Sequence, residues 1–156
     1  QIRKVSTDAF QVTENLSQSI KVGAYAQVER VFSQQSVNDF AIICGDNNPI
    51  HIDPEYALTT RFKCTIVHGI LVASQFSFLL GSIINGGIYV QQSLDFKAPV
   101  PVGAPIIAKV EVIEALHRKS GIWTTFSTEV HLRDSGKLAV KGQGKLLIPT
   151  GTPGFS

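Results

Sequence analysis

An aspartate and a histidine five positions apart, Asp46 and His51, belong to the densest polar cluster of the chain. They lie in Gly-Asp-Asn-Asn-Pro-Ile-His-Ile-Asp at 45–53, which we expect to be a loop between two helices. An imidazole accepts and donates protons near neutral pH, and a nearby carboxylate can orient it or share a water molecule with it. The cluster therefore suits proton transfer coupled to a bound water. A structural interpretation stays open, in which Asp46 and Asn47 close an Asx turn and His51 is a hydrogen-bonded, half-buried residue.

A second candidate site is the start of the most apolar segment, where His68 precedes Gly69. The first N–H groups of a helix have no internal partner, and the helix dipole there favours negative charge. Because glycine lets a ligand approach closely, a carbonyl oxygen that gains charge could bind at Gly69, as in an oxyanion hole. The alternative is that Gly69 permits close packing and His68 is structural. Ser74 and Ser77 follow inside the helix, where a hydroxyl usually bonds a carbonyl one turn back, so a ligand role needs an open cavity.

Three helices are predicted around these candidate sites. Alternation indicates a strand over 25–32, and Ser33 then has the position of an N-cap for a short helix that ends at Gly45. Asp53 followed by proline predicts the start of a second short helix. A longer helix over about 69–80 is apolar nearly all round, so we expect other structure to enclose it.

Four segments after the long helix have the character of strands. They cover 88–96, 106–115, 122–132 and 138–148. Short turns join the later ones, which indicates an antiparallel sheet, and a sheet with one enclosed helix predicts an α+β domain. A chain of 156 residues suits one domain. We expect that domain over 23–150, with an N-terminal arm over 1–22 and a C-terminal tail over 151–156.

Composition excludes several classes of protein. The hydrophobic fraction of 44% argues against a disordered chain, and the formal charge of +2 gives no electrostatic case for nucleic acid or an anionic membrane surface. The apolar segment at 69–81 is interrupted by polar residues and is shorter than the roughly 20 residues that a bilayer requires. Cys44 and Cys64 are the two cysteines, and we interpret both as free thiols, which favours a reducing compartment.

Three segments together resemble one known family. The cluster at 45–53 looks like the hydratase motif of R-specific enoyl-CoA hydratases and MaoC-like dehydratases, including the 3-hydroxyacyl-thioester dehydratases of type 2. Ile-Val-His-Gly-Ile-Leu at 66–71 is similar to that family's second landmark. Tyr-Val-Gln-Gln-Ser-Leu-Asp-Phe at 89–96, with Pro-Val-Pro-Val-Gly at 99–103, is similar to its third. The resemblance covers most of the chain in the family's order and leaves the N-terminal arm out.

The resemblance implies a fold and a set of site residues. The fold is the hotdog, a curved antiparallel sheet around one long helix, which agrees with the elements predicted above. Asp46 and His51 would be the catalytic pair, and the amide of Gly69 would bind a thioester carbonyl. Ser77 would help to shape the site. Asn48 matches an asparagine of the motif and would orient the pair, and His68 would support it.

The implied reaction is reversible syn addition of water to a trans-2-enoyl thioester, which gives the (R)-3-hydroxyacyl thioester in fatty-acid metabolism. His51 would act as the base on the water, and Asp46 would return a proton to C2. The reverse assignment stays open, because the two groups can titrate as one unit. The resemblance calls for no metal and no organic cofactor, since CoA or acyl carrier protein is part of the substrate.

Partners and compartment follow from the same resemblance. Arg61 and Lys63 could dock the phosphates of CoA or an acidic carrier protein, with a solvated charged loop as the alternative. We expect a homodimer or a dimer of dimers, since a lone protomer would expose a long edge or helix face. The mitochondrial matrix is the predicted compartment, with the cytosol and the peroxisome as alternatives.

Three competing functions come from other classes. A hotdog thioesterase normally places an acid on the central helix, and no Asp or Glu occurs between Gly69 and Gly81. A non-haem iron oxygenase would use His51 and Asp53 with His117 or His131 as a facial triad, but its barrel has no place for an enclosed apolar helix. A non-catalytic hotdog subunit is disfavoured because Asp46 and His51 are both present.

Overall fold

A computed structural model describes residues 12–155 of the chain. One antiparallel sheet packs against one long helix, as the sequence predicts. The helices are α1 (Gln34–Cys44), α2 (Pro49–Ile52), α3 (Pro54–Thr59) and α4 (Gly69–Ile83). The strands are β1 (Val12–Glu14), β2 (Tyr25–Val31), β3 (Ile88–Gln92), β4 (Asp95–Phe96), β5 (Pro105–Arg118), β6 (Gly121–Leu132) and β7 (Leu138–Pro149).

In the described part of the chain the sheet has seven strands in the order β1-β2-β5-β6-β7-β3, and β4 also pairs with β7. Every pairing among residues 12–155 is antiparallel. Short turns join β5 to β6 and β6 to β7, as expected for antiparallel neighbours. Val112, Phe126 and Gly144 lie side by side across the three long strands on the face that meets α4. The strand predicted over 88–96 is interrupted at Ser93 and Leu94 and forms β3 and β4 separately.

The core lies between α4 and the inner face of the sheet. The fully buried side chains of Phe76 and Leu79 on α4 pack with Val110 and Phe126 of the sheet. The period-2 burial of β5 fits this arrangement, since alternate residues face the helix. Within residues 12–155, no helix is both long and apolar enough to cross a lipid bilayer.

The prediction that α4 is enclosed on all sides is wrong for the described chain. Ile70, Ser74, Ser77 and Gly81 are exposed and follow one another at i, i+4, i+7 and i+11, so they form one stripe along the helix. The cause lies in the topology: a single sheet covers one side of a helix and leaves the other side open.

The prediction of a surface arm over 1–22 is also wrong where the structure tests it. Residues 1–11 lie outside the described residues. Val12–Glu14 pairs with β2, and Leu16 is fully buried in the core. The physical reason is that β2 offers an edge with which β1 pairs, while Leu16, Val12 and Ile20 pack against the core. At the other end, Phe155 packs against the core, so the described part of the predicted tail, 151–155, is attached to the domain.

Candidate active site

Helix α1 ends directly before the polar cluster at 45–53. The Ser33 side chain accepts a hydrogen bond from the Ser36 amide at its start, as predicted. Gly45 ends the helix in the left-handed region with φ of 79°, a conformation that glycine adopts without strain. The chain therefore turns sharply before Asp46. Every residue over 42–49 is exposed, so short-range hydrogen bonds rather than burial hold this turn.

The Asp46 carboxylate has two separate neighbours. Its Oδ1 accepts a hydrogen bond from the Asn48 amide at 3.2 Å, which closes an Asx turn. Its Oδ2 lies 3.9 Å from Nε2 of His51. Asp46 therefore closes the turn and also lies beside the histidine, so the geometry is compatible with both interpretations of this residue. The first contact orients the second oxygen toward the imidazole.

His51 stands on a helix that the sequence did not predict. Residues 49–52 form α2, with Pro49 at its first position and the Asn48 side chain accepting a hydrogen bond from the Ile50 amide. The expected loop is wrong here, because Pro49 has the φ angle of a first helical residue and Asn48 provides the cap in front of it. Asn48 therefore positions both members of the pair: its amide orients Asp46, and its side chain caps the helix that carries His51.

The hydrogen bond of the His51 ring assigns its tautomer. Nδ1 lies 2.7 Å from the carbonyl oxygen of Ile66, which can only accept, so Nδ1 carries the proton. In the neutral ring Nε2 is then the bare acceptor, and it faces Asp46. The 3.9 Å separation is too long for a direct hydrogen bond. One water at about 2.8 Å from both atoms would bridge them, which suits a group that takes a proton from water.

His68 packs directly behind His51. The two rings stack with centroids 3.8 Å apart and planes at 28°. His68 is 3% exposed, and its Nε2 donates to the backbone carbonyl of Asp46 at 3.0 Å. Its Nδ1 is buried without a hydrogen-bond partner. His68 thus touches both members of the pair and limits the room in which either can move.

Asp46, His51 and His68 each place one potential ligand atom within 4.8 Å of the others, the one such group of three in residues 12–155. Imidazole nitrogen and carboxylate oxygen are donors that several divalent metals accept. The ring planes of the two histidines are close to parallel, however, so their in-plane lone pairs run side by side instead of converging. Nε2 of His68 is also engaged with Asp46. The arrangement fits proton transfer better than metal ligation.

Gly69 is the first residue of α4, and no side chain caps that helix end. A Cβ atom built on Gly69 would lie 2.6 Å from Cε1 of Phe96, so the ring occupies the space that any side chain at 69 would need. Phe96 is 54% exposed. The ring therefore forms a wall beside an open helix N-terminus whose dipole favours developing negative charge.

The remaining candidate residues are placed as follows. Ser74 donates to the Leu71 carbonyl at 2.6 Å, a structural role, whereas Ser77 is exposed on the open stripe of α4. Asp53 caps α3 through the Tyr56 amide. The iron triad is not assembled, since His51 forms no ligand group with Asp53 and either distal histidine within the described residues.

The predicted basic loop and the cysteines lie on the surface. The Arg61 guanidinium lies 4.9 Å from the ring centroid of Phe62, and Lys63 donates to the Leu58 carbonyl. Cys44 and Cys64 form no disulfide, as predicted, and both are exposed.

Sequence reasoning missed Gln34, Thr65 and Phe96 near the site. Phe96 lay in the third landmark, but the first two carried no signal, because their contacts join distant segments.

The family is decided by comparison with known proteins. The family model described as "MaoC like domain" matches residues 15–131. The chain belongs to the MaoC-like family. An (R)-specific enoyl-CoA hydratase from Aeromonas caviae is 43% identical over 135 residues, which cover 85% of this chain and 98% of the relative. A mitochondrial 3-hydroxyacyl-[acyl-carrier-protein] dehydratase from Arabidopsis thaliana is 33% identical over 130 residues, 83% of this chain and 78% of the relative.

Solved structures of this MaoC-like family agree with the fold described above. The (R)-hydratase from A. caviae superposes with a TM-score of 0.79 at 42% identity, covering 85% of this chain and 99% of that one. R-hydratase PhaJ1 from Pseudomonas aeruginosa gives a TM-score of 0.78 at 31% identity, covering 89% of each chain. The predictions of the family and of the hotdog fold are confirmed.

Proposed function

We propose that the protein is a hydro-lyase that hydrates trans-2-enoyl thioesters and dehydrates (R)-3-hydroxyacyl thioesters. The observation that carries the proposal is the position of His51, whose Nδ1 is bound to the Ile66 carbonyl and whose Nε2 faces Oδ2 of Asp46 at 3.9 Å, a separation that one water molecule would bridge. The names of the relatives from Aeromonas caviae and Arabidopsis thaliana support this reaction.

The proton steps follow from the tautomer. As the water oxygen adds to C3, its proton passes to Nε2 of His51, and the electron pair of the double bond moves toward C2 and the thioester carbonyl. Asp46 then delivers a proton to C2. Transfer of a proton from His51 to Asp46 restores both groups, and their 3.9 Å separation suits relay through a water. Because one pair of groups serves both carbons, oxygen and hydrogen add to the same face.

Gly69 would stabilise the charge that accumulates on the thioester oxygen. The C2 proton is weakly acidic unless this oxygen is stabilised, and one backbone donor in such a position contributes about 3–4 kcal/mol. The free end of α4 and the absence of a side chain at Gly69 support this role. Ser77 would border the acyl group from the open face of the same helix. We propose no metal or organic cofactor, and dialysis against EDTA is expected to leave turnover unchanged.

The test is a spectrophotometric assay with crotonyl-CoA and longer enoyl-CoAs, followed by coupling to an (R)-specific dehydrogenase. Asp46→Asn and His51→Ala should each lower turnover by ~10²–10⁴-fold, the scale of general acid–base catalysis. Asp39→Asn and His131→Ala remove the same chemical groups elsewhere and serve as matched controls. Near-normal turnover of either site variant removes the pair from the mechanism. Absence of turnover by the wild-type protein with every enoyl thioester contradicts the proposed reaction.

We propose that two copies associate along β3. This strand ends the sheet among the described residues, and its exposed Ile88 and Val90 present an apolar, unpaired edge. Sedimentation velocity should give a dimer for the wild type and a smaller species for Val90→Lys. A wild-type monomer at micromolar concentration contradicts this assembly.

The thioester substrate would carry CoA or acyl carrier protein, and Arg61 and Lys63 are proposed to contact the phosphate of either. Arg61→Glu should raise KM without lowering kcat if this loop docks the carrier; an unchanged KM with both carriers contradicts the assignment.

The mitochondrial matrix stays a prediction for the compartment. The plant relatives from Arabidopsis thaliana and Solanum lycopersicum are named as mitochondrial.

A further inference from the structure

We propose that Gln34 is a positioning residue for His51, because its side-chain amide joins the two backbone segments that hold the imidazole. The proposal rests on the proposed function, since it assigns a role within that same site. Gln34 is the first residue of α1 and lies 17 positions before His51 and 31 before Thr65. Its part in the site is therefore invisible in any local motif.

The contacts of Gln34 use both ends of its amide. Nε2 donates to the backbone carbonyl of His51 at 2.8 Å and to Oδ1 of Asn38 at 3.0 Å. Oε1 accepts from the hydroxyl of Thr65 at 2.8 Å. Thr65 is 8% exposed and Gln34 is partly buried, so these bonds are shielded from competing water.

Chemistry fixes the orientation of this amide. A carbonyl oxygen can only accept, so the Gln34 atom that faces the His51 carbonyl must be the nitrogen. The oxygen is then left for Thr65, whose hydroxyl can donate. The reversed amide would set two acceptors against each other at the His51 carbonyl and would lose the main bond of the group.

These contacts close a circuit around His51. The ring donates through Nδ1 to the Ile66 carbonyl at 2.7 Å, and the Ile66 amide donates to the Ile50 carbonyl at 3.2 Å. Gln34 connects the residue before Ile66, Thr65, to the backbone of His51. Helix α2 has four residues and few internal hydrogen bonds, so it cannot fix the ring by itself. Gln34 supplies the missing connection.

The chain offers a matched control one residue away. Gln35 makes a similar side-chain bond, from its Nε2 to Oδ1 of Asp39 at 2.7 Å, on the exposed face of the same helix. Gln35→Met therefore removes the same amide and the same helical hydrogen bond without touching the circuit. Gln34→Met keeps the length of the side chain and removes its contacts with His51 and Thr65.

The experiment measures kcat, KM and the Nδ1–H proton signal of His51, identified by its loss in His51→Ala. Gln34→Met should lower kcat about tenfold with KM within about twofold, since a small displacement of a catalytic group costs up to ~10²-fold. The Nδ1–H signal should broaden or exchange faster. Gln35→Met should keep the wild-type kcat and signal. Thr65→Val should behave like Gln34→Met, and Thr65→Ser, which keeps the hydroxyl, should recover most of the lost turnover.

Wild-type kcat and an unchanged Nδ1–H signal in Gln34→Met overturn the proposal. If Gln34→Met does not fold, the comparison of Thr65→Val with Thr65→Ser decides in the same way, and equal kcat in those two overturns it. The proton signal separates this proposal from the proposed function. If the wild type hydrates no enoyl thioester, the reaction is wrong, but the signal in Gln34→Met still shows whether Gln34 positions the ring.

Discussion

The ring of Phe96 fills the space beside Gly69 where a Cβ atom would otherwise lie, at 2.6 Å from its Cε1. Phe96 belongs to the short strand β4, which pairs with β7, whereas Gly69 begins the central helix. The sheet edge thus supplies one wall of the place where the thioester carbonyl is proposed to bind. Phe96, from the segment 89–96, thus contributes to the candidate site because it packs against Gly69, from the segment 66–71.

Gly69→Ala should lower kcat/KM at least tenfold, because the new methyl group displaces the Phe96 ring into the proposed carbonyl site. Stability should change by less than about 1 kcal/mol, since Phe96 is half exposed and alanine favours the helix. Steady-state kinetics and urea unfolding measure the two effects. The double variant Gly69→Ala with Phe96→Ala should regain part of the loss. Equal kcat/KM for Gly69→Ala and wild type would falsify the assignment.

Asn48→Ala should lower both activity and stability, because this residue caps α2. Loss of an N-cap costs about 1 kcal/mol. Asn48→Asp keeps an acceptor for the Ile50 amide and should retain most of the stability. Thermal unfolding and turnover of the three proteins test the role. Similar melting temperatures for the alanine and aspartate variants would show that the cap contributes nothing.

Burial raises the pKa of Tyr89 to about 12 from 10, and its hydroxyl donates to Oε1 of Gln92. The folded state therefore holds the phenol proton more tightly than the unfolded state does. This contribution to stability is complete below pH 10 and is lost as the pH rises toward 12. Urea midpoints of wild type should fall faster than those of Tyr89→Phe across this interval. Parallel curves for the two proteins would contradict the expectation, and a phenolate absorbance titration provides a direct check.

Gly142→Ala should destabilise the protein by about 2 kcal/mol or more, since its Cβ would lie 1.9 Å from the backbone oxygen of Ser93. Backbone at that point cannot withdraw, because the Ser93 amide donates to the Gln143 carbonyl. Gly81→Ala meets no atom within 4 Å and should stabilise α4 by roughly 0.5–1 kcal/mol. Chemical denaturation of both variants tests the contrast, which fails if the two changes have the same sign.

Local patterns predicted most of the fold because they report local physics. The Ser33 cap, the left-handed Gly45 and the alternating strands each depend on a few neighbouring residues, and all occur as expected. The three-residue strand β1 and the interruption of the strand at Ser93 were missed, because pairing with distant strands decides them.

The candidate site likewise has a part that local sequence predicts and a part that depends on contacts between distant segments. Asp46 and His51 could be found from one motif, and the structure brings them together. The carbonyl that assigns the His51 tautomer belongs to Ile66, 15 residues away, and Gln34 acts from a greater distance. No periodicity or composition encodes such contacts, since they depend on how α1, α2 and the segment before α4 meet.

The exposure of every residue over 42–49 affects the order in which parts of the protein unfold in denaturant. Asp46 is fastened by a few hydrogen bonds at the surface, while Phe76, Leu79 and Phe126 are fully enclosed. We therefore expect the segment that carries the carboxylate to open at a lower free-energy cost than the sheet, so that its amides exchange with solvent deuterium before those of the buried strands. We expect mild denaturant to abolish the proposed turnover while the circular dichroism of the sheet and of α4 is still native.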